Sequence, residues 1–134
     1  MDFENLKTGL KNSVAQVVSE NDTALAVGSG SLKVLATPKL IALVEKAAAD
    51  LVEKILPQEF TSVGILVNFE HTAPTPISLK FWAEVEISEI DGRKIIFTVS
   101  AFDERGEIGR GRHERFIVNR EKFQAKANSK ITAC

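Results

Sequence analysis

The stretch ATPKLIALVEKAAADLVEKILP, residues 36–57, decides the fold. Apolar residues at 40, 41, 44, 48, 51, 52 and 55 recur at helical spacing, which predicts a helix of close to twenty residues. Thr37 suits the N-cap and Pro38 the first helical position, where its missing N–H costs nothing; Pro57 stops the pattern. More than half the circumference is apolar, so the rest of the chain should wrap this helix. Advancing roughly 100° per residue from Lys39, residues Lys46, Asp50, Glu53 and Lys54 fall within about 60° and form one polar stripe. Glu45 falls about 120° away, beside Ile41, Ala42, Ala49 and Val52. A carboxylate on the inward face needs a fixed polar partner or a functional role. The plain alternative is a glutamate reaching water past small alanines.

The chain after Pro57 reads as antiparallel strand. Residues 61–70 form a first run, stopped by His71-Thr72-Ala73-Pro74-Thr75-Pro76. Residues 77–90 alternate, with Ile77, Leu79, Phe81, Ala83, Val85 and Ile87 on one face and Lys80, Trp82, Glu84, Glu86 and Ser88 on the other. Asp91-Gly92 is a hairpin signal, residues 93–102 return, Asp103 to Gly106 turn the chain, and 107–118 supply a last strand. The polar tail from Asn119 predicts a short helix or a frayed segment. Upstream, Val14 to Val18 and Thr23 to Val27 read as β-compatible runs, with Gly28-Ser29-Gly30-Ser31 as a flexible connection. The expected class is α+β: one domain over residues 1–134, with a curled antiparallel sheet around a long central helix. Such a sheet leaves an edge strand, and pairing two edges into a homodimer would satisfy it.

The 134 residues carry a net charge of −1, with 44% hydrophobic and 26% charged residues. That balance argues for no nucleic-acid partner and no anionic membrane. No apolar run reaches bilayer length, and the start, MDFENLKTGLKN, lacks the apolar core of a secretory leader, so a cytoplasmic protein is expected. The single cysteine, Cys134, allows no internal disulfide and no cysteine-based metal site. No glycine-rich phosphate loop or His/Asp metal cluster is present, so neither a metal nor a cofactor is expected.

Four segments in order, ATPKLIALVEKAA, TSVGILVNFEHTAPTP, EIDGRKIIF and EIGRGRHERF, resemble the fluoroacetyl-CoA thioesterase-like family of hot-dog-fold proteins. The resemblance runs roughly from Thr23 to Phe123. It implies the architecture just described, dimerised edge to edge, with an acyl-CoA thioester at the dimer interface. It implies that Thr37, Glu45 and His71 are catalytic and that Gly64 and Arg115 belong to the substrate site. It lapses before Thr37: where fluoroacetyl-specific members carry aromatic residues over the acyl pocket, this chain has Gly28-Ser29-Gly30-Ser31-Leu32. A short-to-medium acyl-CoA is therefore expected in preference to fluoroacetyl-CoA.

Hydrolysing a thioester needs a polarised carbonyl, an activated nucleophile and a path for one proton. The helix start at Thr37 offers unpaired N–H groups and the positive end of the macrodipole to an oxyanion. Glu45, about 12 Å further along the axis, is the expected general base or the partner of a proton carrier. His71 is expected as general base or acid, reaching the opposite subunit's helix; otherwise it is a surface-loop histidine. Arg110 and Arg112 share a strand face and could hold CoA phosphates, or simply form a solvated charged face. Arg115 points the other way, and His113 is expected to pack or to face solvent. Gly109 and Gly111 could mark a bulge or the close approach of a ligand. A non-hydrolytic acyl-CoA or acyl-carrier binding module, or a dehydratase on the same scaffold, are the competing readings, and pairing of dimers into tetramers stays open.

Overall fold

The computed structural model describes residues 3–132; Cys134 lies outside them. Strand β1 (Lys11–Val17) leads through a single 3-10 turn at Glu20–Asp22 to a short helix α1 (Ala24–Val27). Helix α2 (Thr37–Ile55) follows, then β2 (Phe60–His71), β3 (Lys80–Asp91), β4 (Lys94–Asp103), β5 (Gly106–Asn119) and α3 (Arg120–Thr132). The five strands make one antiparallel sheet in the order β1-β3-β4-β5-β2. This is the expected α+β arrangement: Leu40, Leu43, Val44, Ala47, Ala48, Leu51 and Val52 of α2 are buried against the sheet. The facing layer comes from alternate strand positions, among them Phe81, Val85, Ile87, Ile95, Phe97 and Val99.

Three local expectations are corrected. Thr23 to Val27 is not strand: the Thr23 hydroxyl accepts the Ala26 N–H at 3.2 Å and Gly28 ends the turn in the left-handed region at φ 87°, so capping at both ends outweighs β propensity. Strand β3 begins three residues later than read, because Ser78 adopts φ 83° and turns the chain there. Ala36, not Thr37, is the N-cap of α2, which puts Thr37 inside the first turn and frees its hydroxyl for another partner. The β3–β4 hairpin forms, with its two-residue turn one position later than Asp91-Gly92 signals: Asp91 pairs with Lys94, and Gly92 (φ 63°) and Arg93 are the central residues.

Gly109 and Gly111 are explained by the sheet itself. A Cβ on Gly111 would overlap the Asn68 carbonyl, and one on Gly109 would overlap the Phe69 ring, so neighbouring strand β2 occupies that space. Gly111→Ala must push backbone aside, and overpacking of this kind costs about 1–3 kcal/mol. Urea unfolding should show that loss; an unchanged midpoint would mean that β2 is not held so closely.

Candidate active site

Thr37 and His71 meet at the N-terminal end of α2. His71 is the last residue of β2, and its Nδ1 lies 2.7 Å from the Thr37 hydroxyl oxygen. Burial lowers the His71 pKa, against a smaller opposing pull from the Ala73 backbone, so the ring favours its neutral form. A neutral Nδ1 can accept the Thr37 proton. The ring's other nitrogen, Nε2, is buried without a partner among the described residues. A cavity of about 330 Å³ opens on the pair, walled by Ala24, Ser29, Val34, Leu35, Ala73 and Pro74. The first turn offers fewer donors than expected: Pro38 has none, and the Lys39 and Leu40 N–H groups both bond the Ala36 carbonyl. The Thr37 N–H and the macrodipole are what remain for an oxyanion.

Glu45 is half-buried and belongs to a second cluster. Gly64 on β2 leaves room there: a Cβ built on it would stand 3.2 Å from His113 Cε1, 3.3 Å from Glu45 Oε2 and 3.4 Å from Arg115 Nη1. Three charged or titratable side chains therefore converge over one glycine. Arg115 is only 7% exposed and is held from three directions. Its Nε donates to Ser62 Oγ (2.7 Å), its Nη2 to the Ser62 carbonyl (3.0 Å) and its Nη1 to His113 Nε2 (3.2 Å). Burial lowers the Arg115 pKa, while the carboxylates of Glu45 and then Glu53 raise it. A cation this deeply placed needs a counter-charge, and Glu45 supplies it from α2. The inward glutamate of the helical stripe thus has an electrostatic partner.

His113 was expected to pack or to face solvent. It is fully buried and hydrogen-bonded on both ring nitrogens. Its position two residues before Arg115, on the same strand face, was the available signal. Ser62 gave no signal in the sequence; only the antiparallel pairing of β2 with β5 brings it under Arg115.

Within one protomer the two clusters stay apart. Gly64 and His71 are seven residue steps apart along β2, roughly 23 Å of extended chain. Arg110 and Arg112 lie on the sheet face opposite Arg115, as strand alternation requires. Arg112 pairs with Glu114, and Arg110 lies 3.6 Å from Glu107. A groove beside them is lined by Asn68, Glu70, Thr98 and Ser100. Among the described residues no group of three or more His, Cys, Asp or Glu could hold a metal ion, and no helix is long and apolar enough to cross a membrane.

Comparison with known proteins agrees with this architecture. The sequence model of the family described as "FlK: Fluoroacetyl-CoA-specific thioesterase" matches residues 18–121. The fluoroacetyl-CoA thioesterase of Streptantibioticus cattleyicolor is 36% identical over 101 residues, covering 75% of this chain and 73% of that protein. A crystal structure of the F36A mutant of the fluoroacetyl-CoA-specific thioesterase superposes with a TM-score of 0.87 at 30% identity, over 93% of this chain and 97% of the other. A hot-dog-like protein from Thermanaerovibrio acidaminovorans shares the fold at 21% identity, with a TM-score of 0.87 over 97% of both chains. With a long helix gripped by a five-stranded antiparallel sheet, and with sequence and structural matches that span most of its length, the chain belongs to the fluoroacetyl-CoA-specific thioesterase family of hot-dog proteins.

Proposed function

We propose that this thioesterase hydrolyses its acyl-CoA substrate at a site shared between two protomers, with Thr37 and His71 supplied by one and Glu45 by the other. The observation that carries the proposal is the 2.7 Å contact between the Thr37 hydroxyl and His71 Nδ1 at the mouth of a cavity. His71 accepts the Thr37 proton as the hydroxyl attacks the thioester carbonyl, and returns it to the departing CoA sulfur. Water then cleaves the acyl-threonine, with Glu45 as base, releasing the free acid and restoring Thr37. The overall reaction consumes only acyl-CoA and water, so no cofactor enters its balance.

The edge of the sheet supports the shared site. Strand β2 is an edge strand, and its Ile65, Leu66 and Val67 are 51%, 40% and 38% exposed. An open apolar edge favours pairing with a second copy. Antiparallel pairing of two β2 strands about a two-fold axis at Val67 or at Asn68 would set His71 of one protomer opposite Val63 or Ile65 of the other, next to Gly64 in either case. The Glu45 cluster and the Thr37–His71 pair, remote within a chain, then adjoin across the homodimer. Gly64 and Arg115 shape the carboxylate side of this site. Arg110 and Arg112 stand at the outer groove and are assigned to the CoA phosphates, so Arg110→Ala and Arg112→Ala should act mainly on KM.

Beside the His71 ring the cavity walls are aliphatic or small and polar, with no Phe or Trp among them, which suits a short-to-medium acyl chain. Free-thiol release across acetyl- to decanoyl-CoA, with fluoroacetyl-CoA included, tests both activity and chain length. Binding of CoA thioesters without turnover of any would overturn the hydrolytic proposal.

The rate should also report His71 directly. A base works only when neutral, so kcat/KM falls as pH drops through its pKa. Burial lowers that pKa, so the acid limb should lie below the ordinary histidine value of 6.5. A profile that already falls above that value, or stays flat down to the carboxylate range, would remove His71 as the base.

A further inference from the structure

Buried groups whose partners can only donate, or only accept, reveal where their protons are. His113 is such a group. Its ring is 0% exposed and stacks on Phe97, with centroids 6.0 Å apart. Nδ1 lies 2.8 Å from the Leu66 carbonyl oxygen, which only accepts, so Nδ1 carries the proton. Nε2 lies 3.2 Å from Arg115 Nη1, which only donates, so Nε2 is bare. We propose that His113 is a positioning residue, locked as the neutral Nδ1–H tautomer, which aims the Arg115 guanidinium at Glu45 and pins the edge strand at its bulge. The proposal rests on the assignment of Glu45 to the reacting centre.

Two features make this more than packing. Leu66 follows the irregularity between Gly64 and Leu66, where β2 carries one extra residue against β5. The His113 bond to the Leu66 carbonyl therefore holds the edge strand where the proposed dimer would pair. At the other nitrogen, a second proton would replace the Arg115 bond with two donors face to face and two like charges in a buried space. Burial acts most strongly and opposes that second proton, as Arg115 does; the Leu66 carbonyl, then Glu45 from α2 and Glu114 on the same strand, favour it. The layers contributed by β2 and β4, the Leu66 carbonyl and the Phe97 ring, bring no charge.

The test uses the full-length protein. The chain has two histidines, so ¹⁵N imidazole spectra contain two rings, and His71→Gln assigns them. The His113 ring should keep the Nδ1–H pattern from pH 8 to 5.5. An Nε2–H tautomer, or an imidazolium at pH 6, would overturn the proposal without reference to catalysis.

Kinetics supply the second readout. His113→Phe keeps the ring and its stack but loses both hydrogen bonds, and should lower kcat roughly ten- to a hundredfold, the equivalent of one hydrogen bond to a charged group. KM should change little. His113→Gln, which can present an acceptor near Nε2, should recover more activity than His113→Asn, which can reach only the Leu66 carbonyl. Equal losses in Gln and Asn variants, in step with lowered melting temperature, would make the role purely structural and overturn the proposal. Wild-type protein without activity toward any thioester would instead count against the proposed hydrolysis, while the spectra would still decide the tautomer.

Discussion

His71→Ala should lower kcat/KM for the best acyl-CoA by roughly two to four orders of magnitude, the usual loss when a positioned acid-base group is removed. The imidazole is the only group within hydrogen-bond reach of the Thr37 hydroxyl among the described residues, so its loss leaves the nucleophile with no acceptor for its proton. The fold should survive, because His71 sits at the end of β2, half-exposed, and its Nε2 makes no contact that holds the structure together. His71→Asn separates geometry from chemistry. An amide can occupy the Nδ1 position and bond Thr37, but it has no useful basicity, so it should stay as slow as alanine. Free-thiol release measured beside thermal melting reads both effects. Activity of His71→Ala within a factor of about three of wild type, roughly 0.65 kcal/mol of barrier, would remove the residue from the mechanism.

Mixing two dead variants should restore activity. If Thr37 and His71 act with Glu45 of the partner subunit, a heterodimer of His71→Ala with Glu45→Ala contains one intact site and one doubly damaged site. Random reassortment gives about half heterodimers, so about a quarter of all sites are rebuilt, and activity should rise toward that fraction of wild type. If each site were complete within one chain, every protomer in the mixture would remain broken and no activity would return. The separation along β2 favours the first outcome, since extended strand between Gly64 and His71 keeps the clusters apart in a single chain. A charge placed in the exposed apolar edge, such as Val67→Lys, should reduce activity and dimer content together while leaving the protomer folded. Sedimentation or light scattering at the assay concentration reads the dimer. A monomeric, fully active Val67→Lys would dismiss the shared site.

Glu45 was legible in the sequence because helical geometry is local: seven residues of periodic apolar pattern define a face, and any charge on that face stands out. The β3–β4 hairpin was legible to within one position for the same reason, since a Gly-containing turn and strict alternation mark where the chain reverses. The strand reading of Thr23 to Val27 failed because a four-residue apolar run carries no period long enough to separate helix from strand. What settled it was the Thr23 cap and the left-handed Gly28, two hydrogen-bonding details outside the run. Thr37 was read as a cap because threonine commonly is one, yet its hydroxyl is spent on a histidine 34 residues away.

The amino-acid order alone determined the long buried helix, the antiparallel meander, the inward glutamate and, through four ordered motifs, the family. Each depends on spacing between near neighbours, which backbone geometry converts directly into direction. Only the folded chain decided that Ser62, His113 and Arg115 form one hydrogen-bonded unit facing Glu45, and that His71 lies against Thr37. Those contacts hang on strand register, where a slip of one residue would turn every side chain to the other face, and register is set by the whole packed core.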